Sequence, residues 1–185
     1  MDTADLLKQL KKKADAEGIT ENFPPLTDDD VAFCEKEMGL QLPELVKLIY
    51  TKVANGGIGP GEAMIELVSD SDEVEDVLNL YLGLMTPGQV HEDFDDEAGD
   101  IVMEWIPGVI PLFYWGGAVY TMLDCSTGMM VECDFDYGPV NYREAWLASD
   151  GHFQKLGVSF FEYMASWVDP ATESKYEYGA DSNDD

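Results

Sequence analysis

From Ile101 to Phe135 the chain reads as short β-rich runs cut by turn residues, and this succession narrows the fold more than any other feature. The runs are Ile101 to Ile106, Val109 to Trp115, Val119 to Asp124 and Met129 to Phe135. Pro107-Gly108, Gly116-Gly117 and Ser126-Thr127-Gly128 separate them. Such spacing predicts consecutive antiparallel strands of a meander. Asp124 stands where its carboxylate can accept turn amides, and Gly128 can take the left-handed corner of the same hairpin. Within Phe113-Tyr114-Trp115, Phe113 and Trp115 share one face of a strand and Tyr114 the other.

The segments on either side carry helix signals. Leu6, Leu7, Leu10 and Ala14 at helical spacing, with Gly18 beyond them, predict a first helix over 3–17. Pro24-Pro25 breaks the chain. Thr27 with Asp30 then reads as an N-cap pair for a helix through Val31, Phe33, Cys34 and Met38, stopped by Gly39. Leu42-Pro43 opens a third helix with Leu45, Leu48, Ile49 and Val53 expected on its buried face. Asn55-Gly56-Gly57 ends it with residues that tolerate positive φ. Met64 to Val68 reads as a short strand, and Asp72 to Leu84 as a helix with an acidic first turn. Ser159 with Glu162 is a capping box for a last helix bearing Phe160, Phe161, Met164 and Trp167. The expected division is a helix in residues 1–20, one domain over 21–169 and an acidic, frayed tail over 170–185.

Charge constrains function. Between Lys52 and Arg143 there are eighteen acids and no lysine or arginine, within a chain of 185 residues whose formal net charge is -28. Disorder is not implied, because 45% of residues are apolar and a packed core is within reach. A one-signed field of this kind repels nucleic acid and anionic membrane and steers basic partners to the surface. The acids expected to face such a partner are Asp72, Glu73, Glu75, Asp76, Asp93, Asp95, Asp96 and Glu97, with Tyr114 or Trp115 as an aromatic anchor of the type interfaces favour. The four lysines Lys8, Lys11, Lys12 and Lys13 fit a solvated helix face near a C-terminus. No stretch approaches the roughly 20 apolar residues of a membrane span, and the N-terminus lacks a signal-peptide core, so a cytoplasmic protein is expected.

Chemistry-bearing patterns are sparse. Cys34, Cys125 and Cys133 are odd in number and show no CxxC spacing, so neither a disulfide framework nor a zinc site is expected. Asp93, Asp95, Glu97 and Glu104 echo the ligand spacing of a calcium loop. However, Ala98 stands where that loop needs glycine, Asp100 replaces its apolar residue, and Glu104 falls in an expected strand. His91 and His152 lie far apart in polar segments. Without a convergent set of nucleophile, base and second carboxylate, no catalytic residue, metal or cofactor is expected.

In their order, the helix before Leu42-Pro43, the helix stop Asn55-Gly56-Gly57, Ile110-Pro111-Leu112, Gly116-Gly117, Leu123-Asp124, Gly128 and Ser159-Phe160-Phe161-Glu162 resemble the SMI1/KNR4 family of the SUKH superfamily, over about residues 28–168. The resemblance implies an α+β fold, a single antiparallel sheet flanked by helices. In bacteria it implies an immunity protein that binds and neutralises a toxin, and in fungi a regulatory scaffold. The acidic middle favours the first, with a basic nuclease as the kind of toxin it suits. An intracellular scaffold without a toxin is the alternative. The segment from Asp70 to Asp100 is longer than the family's usual connection, and the lysine-bearing N-terminal helix is an addition to it.

Overall fold

A computed structural model of the chain describes residues 1–60, 63–71, 74–86, 104–137, 141–148 and 151–169. Three of the expected strands form as antiparallel neighbours: β1 (Val109–Tyr114), β2 (Val119–Asp124) and β3 (Met129–Asp134). A fourth, β4 (Phe153–Ser159), pairs antiparallel with β3 and completes one sheet in the order β1-β2-β3-β4. β4 escapes a reading by alternation because its register with β3 shifts and Gly157 sits at φ 70°. A bulge of this kind breaks the two-residue period by which strands are recognised.

Where it is described, the first expected run is not a strand. Glu104 to Ile106 are irregular, and residues 101–103 lie outside the described set. Trp105 instead buries its ring and donates its indole N–H to the Val109 carbonyl at 2.8 Å. Met64 to Val68 contracts to a single antiparallel bridge between Met64 and Phe113, beside which the Ile65 N–H donates to the Leu112 carbonyl.

The helices are α1 (Thr3–Ala16), α2 (Ile19–Asn22), α3 (Asp28–Met38), α4 (Glu44–Lys52), α5 (Val77–Met85), α6 (Tyr142–Ala148) and α7 (Phe160–Val168). Both capping boxes form. Thr27 and Asp30 exchange side-chain to backbone bonds at the start of α3, and Ser159 and Glu162 do so at the start of α7. The helix expected from Asp72 begins only at Val77, because Asp76 is its N-cap. On α4 the buried residues are Val46, Ile49 and Tyr50, continued by Val53, with Leu45 and Leu48 at the rim. The Tyr50 hydroxyl donates to the Ile65 carbonyl at 2.9 Å, which turns that side of the helix inward.

After α4, Gly56 and Gly57 take positive φ and Asn55 does not. Asn55 instead acts through its buried amide. Nδ2 donates to the Val68 carbonyl at 2.8 Å, and Oδ1 accepts from Leu67 N–H at 3.0 Å. The helix stop is therefore also a clamp on the segment that leads to α5.

Leu6, Leu10 and Ala14 of α1 are fully buried in the same core as Ile49, Ile110, Leu123 and Met164. Burial of each leucine contributes about 1.5–3 kcal/mol. Lys13 donates to the Trp167 carbonyl at 2.7 Å and lies 4.5 Å from that indole's centroid. A cation at the C-terminal end of α7 complements its dipole and ties α1 to the last helix.

Candidate protein-binding surface

The register of the sheet sorts side chains onto two faces, since directly paired residues point the same way. Phe113, Thr121, Glu132 and Gln154 form one row. There Phe113 meets Tyr163 of α7 edge-on at 5.0 Å. Tyr114, Tyr120, Cys133 and Phe153 form a row on the opposite face. Phe153 lies beneath Trp146 and Tyr142 of α6, and Trp105 and Phe135 fill the space between these rings and Tyr120. Aromatic packing thus runs from a buried end at Phe153 to an exposed end at Tyr114, which keeps 39% of its surface.

At that exposed end an acid joins the rings. Tyr114 and Tyr120 lie 5.0 Å apart, tilted by 38°. The Tyr120 hydroxyl donates to Glu75 Oε2 at 3.4 Å, and the Tyr114 hydroxyl donates to the Gly117 carbonyl at 3.1 Å. Glu75 is exposed and directly precedes the cap of α5. Burial raises the Tyr120 hydroxyl's pKa, and the Glu75 charge adds to that, so Tyr120 stays a neutral donor at any physiological pH.

Of the expected partner-facing residues, Glu75 and Tyr114 come together here, with Tyr120 between them. Trp115 does not join them. Its indole N–H donates to Thr121 Oγ1 at 2.7 Å, on the face that carries Phe113. Asp76 is a correction to the sequence reading, since it is fully buried. It accepts from Asn79 N–H at 2.7 Å and from Ser69 N–H at 3.0 Å, so helix capping consumes the carboxylate. Asp72, Glu73, Asp93, Asp95, Asp96 and Glu97 lie outside the described residues. Tyr120 was missed, although the hairpin turn at Gly116-Gly117 sets Trp115 opposite Val119 and hence Tyr114 opposite Tyr120.

Asp124 serves structure. It accepts from Ser126 N–H at 2.9 Å and from the Ser126 and Thr127 hydroxyls at 2.6 and 2.8 Å. Burial pushes its pKa up, but those bonds outweigh it and hold the carboxyl below the usual range. Glu66 shifts the other way, raised first by burial and then by the charges of Asp76 and Asp70. Cys34, Cys125 and Cys133 are free thiols. Burial pushes Cys34 up to about 11 and Cys125 to about 12, which leaves both poor nucleophiles at neutral pH.

The model of the SMI1 / KNR4 family (SUKH-1) matches residues 25–166, and the chain belongs to that family. The four-stranded antiparallel sheet with its flanking helices is consistent with the family's α+β fold. The family is generally one of binding proteins without catalytic activity. No curated protein and no solved structure matches the chain. Among the described residues, no helix is long and apolar enough to cross a membrane.

Proposed function

We propose that this chain is an immunity-type protein, acting in the cytoplasm, that neutralises a basic toxin by covering its active site. The observation that carries the reading is the family match over residues 25–166. The charge pattern gives the toxin its sign, because eighteen acids without an intervening lysine or arginine favour a cationic surface such as the groove of a nuclease. The Glu75, Tyr120 and Tyr114 surface supports the same reading, with an exposed ring beside a carboxylate. Inhibition by masking requires contact and no chemistry.

The test is co-expression with the product of each open reading frame that adjoins its gene. Rescue of growth and co-purification as a stable complex are the expected results. Neighbours that are all harmless, or a toxic one that this chain neither binds nor silences, would overturn the immunity reading in favour of a regulatory scaffold.

A further inference from the structure

Glu75 and Tyr114 meet Tyr120 from different parts of the chain, one at its hydroxyl from the approach to α5 and one at its ring from the edge strand. The carboxylate takes the Tyr120 hydroxyl at 3.4 Å and the Tyr114 ring lies 5.0 Å from the Tyr120 ring, so Tyr120 links the two. Tyr114 is held by its bond to Gly117 and by its contact with Tyr120, and Tyr120 is braced in turn by Phe135 at 5.6 Å. An exposed, immobilised tyrosine ring beside a carboxylate that no described lysine or arginine neutralises matches one side chain in shape and charge. A guanidinium can lie flat on the ring while its in-plane N–H groups reach the carboxylate. An ammonium is a point charge with a tighter hydration shell and gains less from the plane of the ring.

We infer that Glu75, Tyr114 and Tyr120 form a cradle for an arginine side chain of the protein partner. The inference rests on the binding-protein reading above and sharpens it, because it names the partner group that anchors at this point. General acidity accounts for attraction of any cation. The cradle adds a preference for arginine over lysine.

The probe is a capped five-residue peptide, Gly-Gly-Arg-Gly-Gly, with lysine and citrulline counterparts. Each is titrated at physiological ionic strength into the full chain with its tyrosine rings isotopically labelled. The arginine peptide should shift the ring resonances of Tyr114 and Tyr120 and bind about threefold or more tighter than the lysine peptide, with citrulline weakest. Glu75→Gln and Tyr114→Leu should each weaken the arginine peptide by about fivefold, whereas Tyr114→Phe, which keeps the ring, should bind like the parent. Equal affinity for arginine and lysine, or parental affinity in both Glu75→Gln and Tyr114→Leu, would overturn the cradle. No toxin enters this experiment, so its failure leaves the immunity reading standing. Failure of the co-expression rescue, conversely, leaves the cradle standing.

Discussion

Tyr114 faces Tyr120 across the first hairpin, and two residues before Tyr114 the strand β1 carries an extra residue, Leu112. The register steps from Pro111 opposite Met122 to Phe113 opposite Thr121, with Leu112 unpaired on the β2 side, its carbonyl accepting from Ile65. With the hairpin turn fixed, a strand without that bulge would set Leu112 opposite Met122 and Pro111 opposite Leu123, and would turn Pro111 and the residues before it to the other face. Pro111 sits on the edge strand, where a missing N–H costs no ladder bond. The local irregularity of β1 thus sets the faces taken by Val109 to Pro111, while the Gly116-Gly117 turn sets Tyr114 opposite Tyr120.

Removal of the Asp124 carboxylate tests the second hairpin. Asp124→Ala should cost about 1 to 2 kcal/mol of stability, because three turn donors lose their acceptor but remain near water. The folded-state pKa is depressed, so the stabilisation is fully present above the unfolded value of about 3.9 and disappears as pH falls through the folded value. Denaturant melts of parent and variant should differ at neutral pH and converge in acid. A pH-independent difference would mean that the loss is packing and not charge.

Two glycines with nearly the same φ should respond differently to alanine. Gly57 has φ 70°, and an added Cβ would come within 2.6 Å of the Phe23 ring. Gly128 has φ 73°, with nothing within 4 Å of the same atom. The Gly128→Ala cost should be conformational, about 1 kcal/mol. Gly57→Ala adds overpacking against a partly buried ring and should reach about 3 kcal/mol. Equal midpoints in thermal unfolding would show that Phe23 yields freely.

Glu66 should be a stabilising site for neutralisation. Burial and the nearby Asp76 and Asp70 raise its folded pKa, so the protonated form is favoured in the fold. Its contribution is favourable below the unfolded pKa and is lost as pH rises through the folded value. Glu66→Gln should therefore raise the melting temperature at pH 7 and leave it unchanged in acid. It should do so by more than Glu21→Gln, which removes an exposed charge at a helix start. A gain equal to that of Glu21→Gln would assign the effect to net charge alone.

What was legible in the sequence was local. The pairs Thr27 with Asp30 and Ser159 with Glu162 lie three residues apart, and the Asp124 turn closes within four, so residue type and spacing suffice. What was hidden depended on register or on partners distant in the chain. β4 is disguised by its bulge, and Tyr120 matters only once it is set opposite Tyr114. By sequence Asp76 is one more acid in a charged run. The signal that it caps a helix was Asn79 three residues on, whose N–H and side-chain amide both bond to it. By residue type Asn55 reads as a helix stop, and only the fold shows its amide reaching Leu67 and Val68.

Charge and aromatic contact should separate kinetically when the partner from the co-expression test is in hand. Exposed acids act mainly by steering encounter, and their fields are screened beyond about 8 Å at physiological ionic strength. Raising salt from dilute buffer to several times physiological should slow association by about tenfold or more while changing dissociation little. The combined variant Asp93→Asn, Asp95→Asn, Asp96→Asn and Glu97→Gln should reproduce part of that loss in the association rate. Tyr114→Leu removes a short-range contact made only after docking, so it should speed release and leave the encounter rate near that of the parent. Stopped-flow association and dissociation traces for the three proteins across one salt series resolve the two contributions. Salt-independent association, or an unaltered rate in the fourfold variant, would remove those acids from recognition. Release unchanged in Tyr114→Leu would place the anchor elsewhere on the surface.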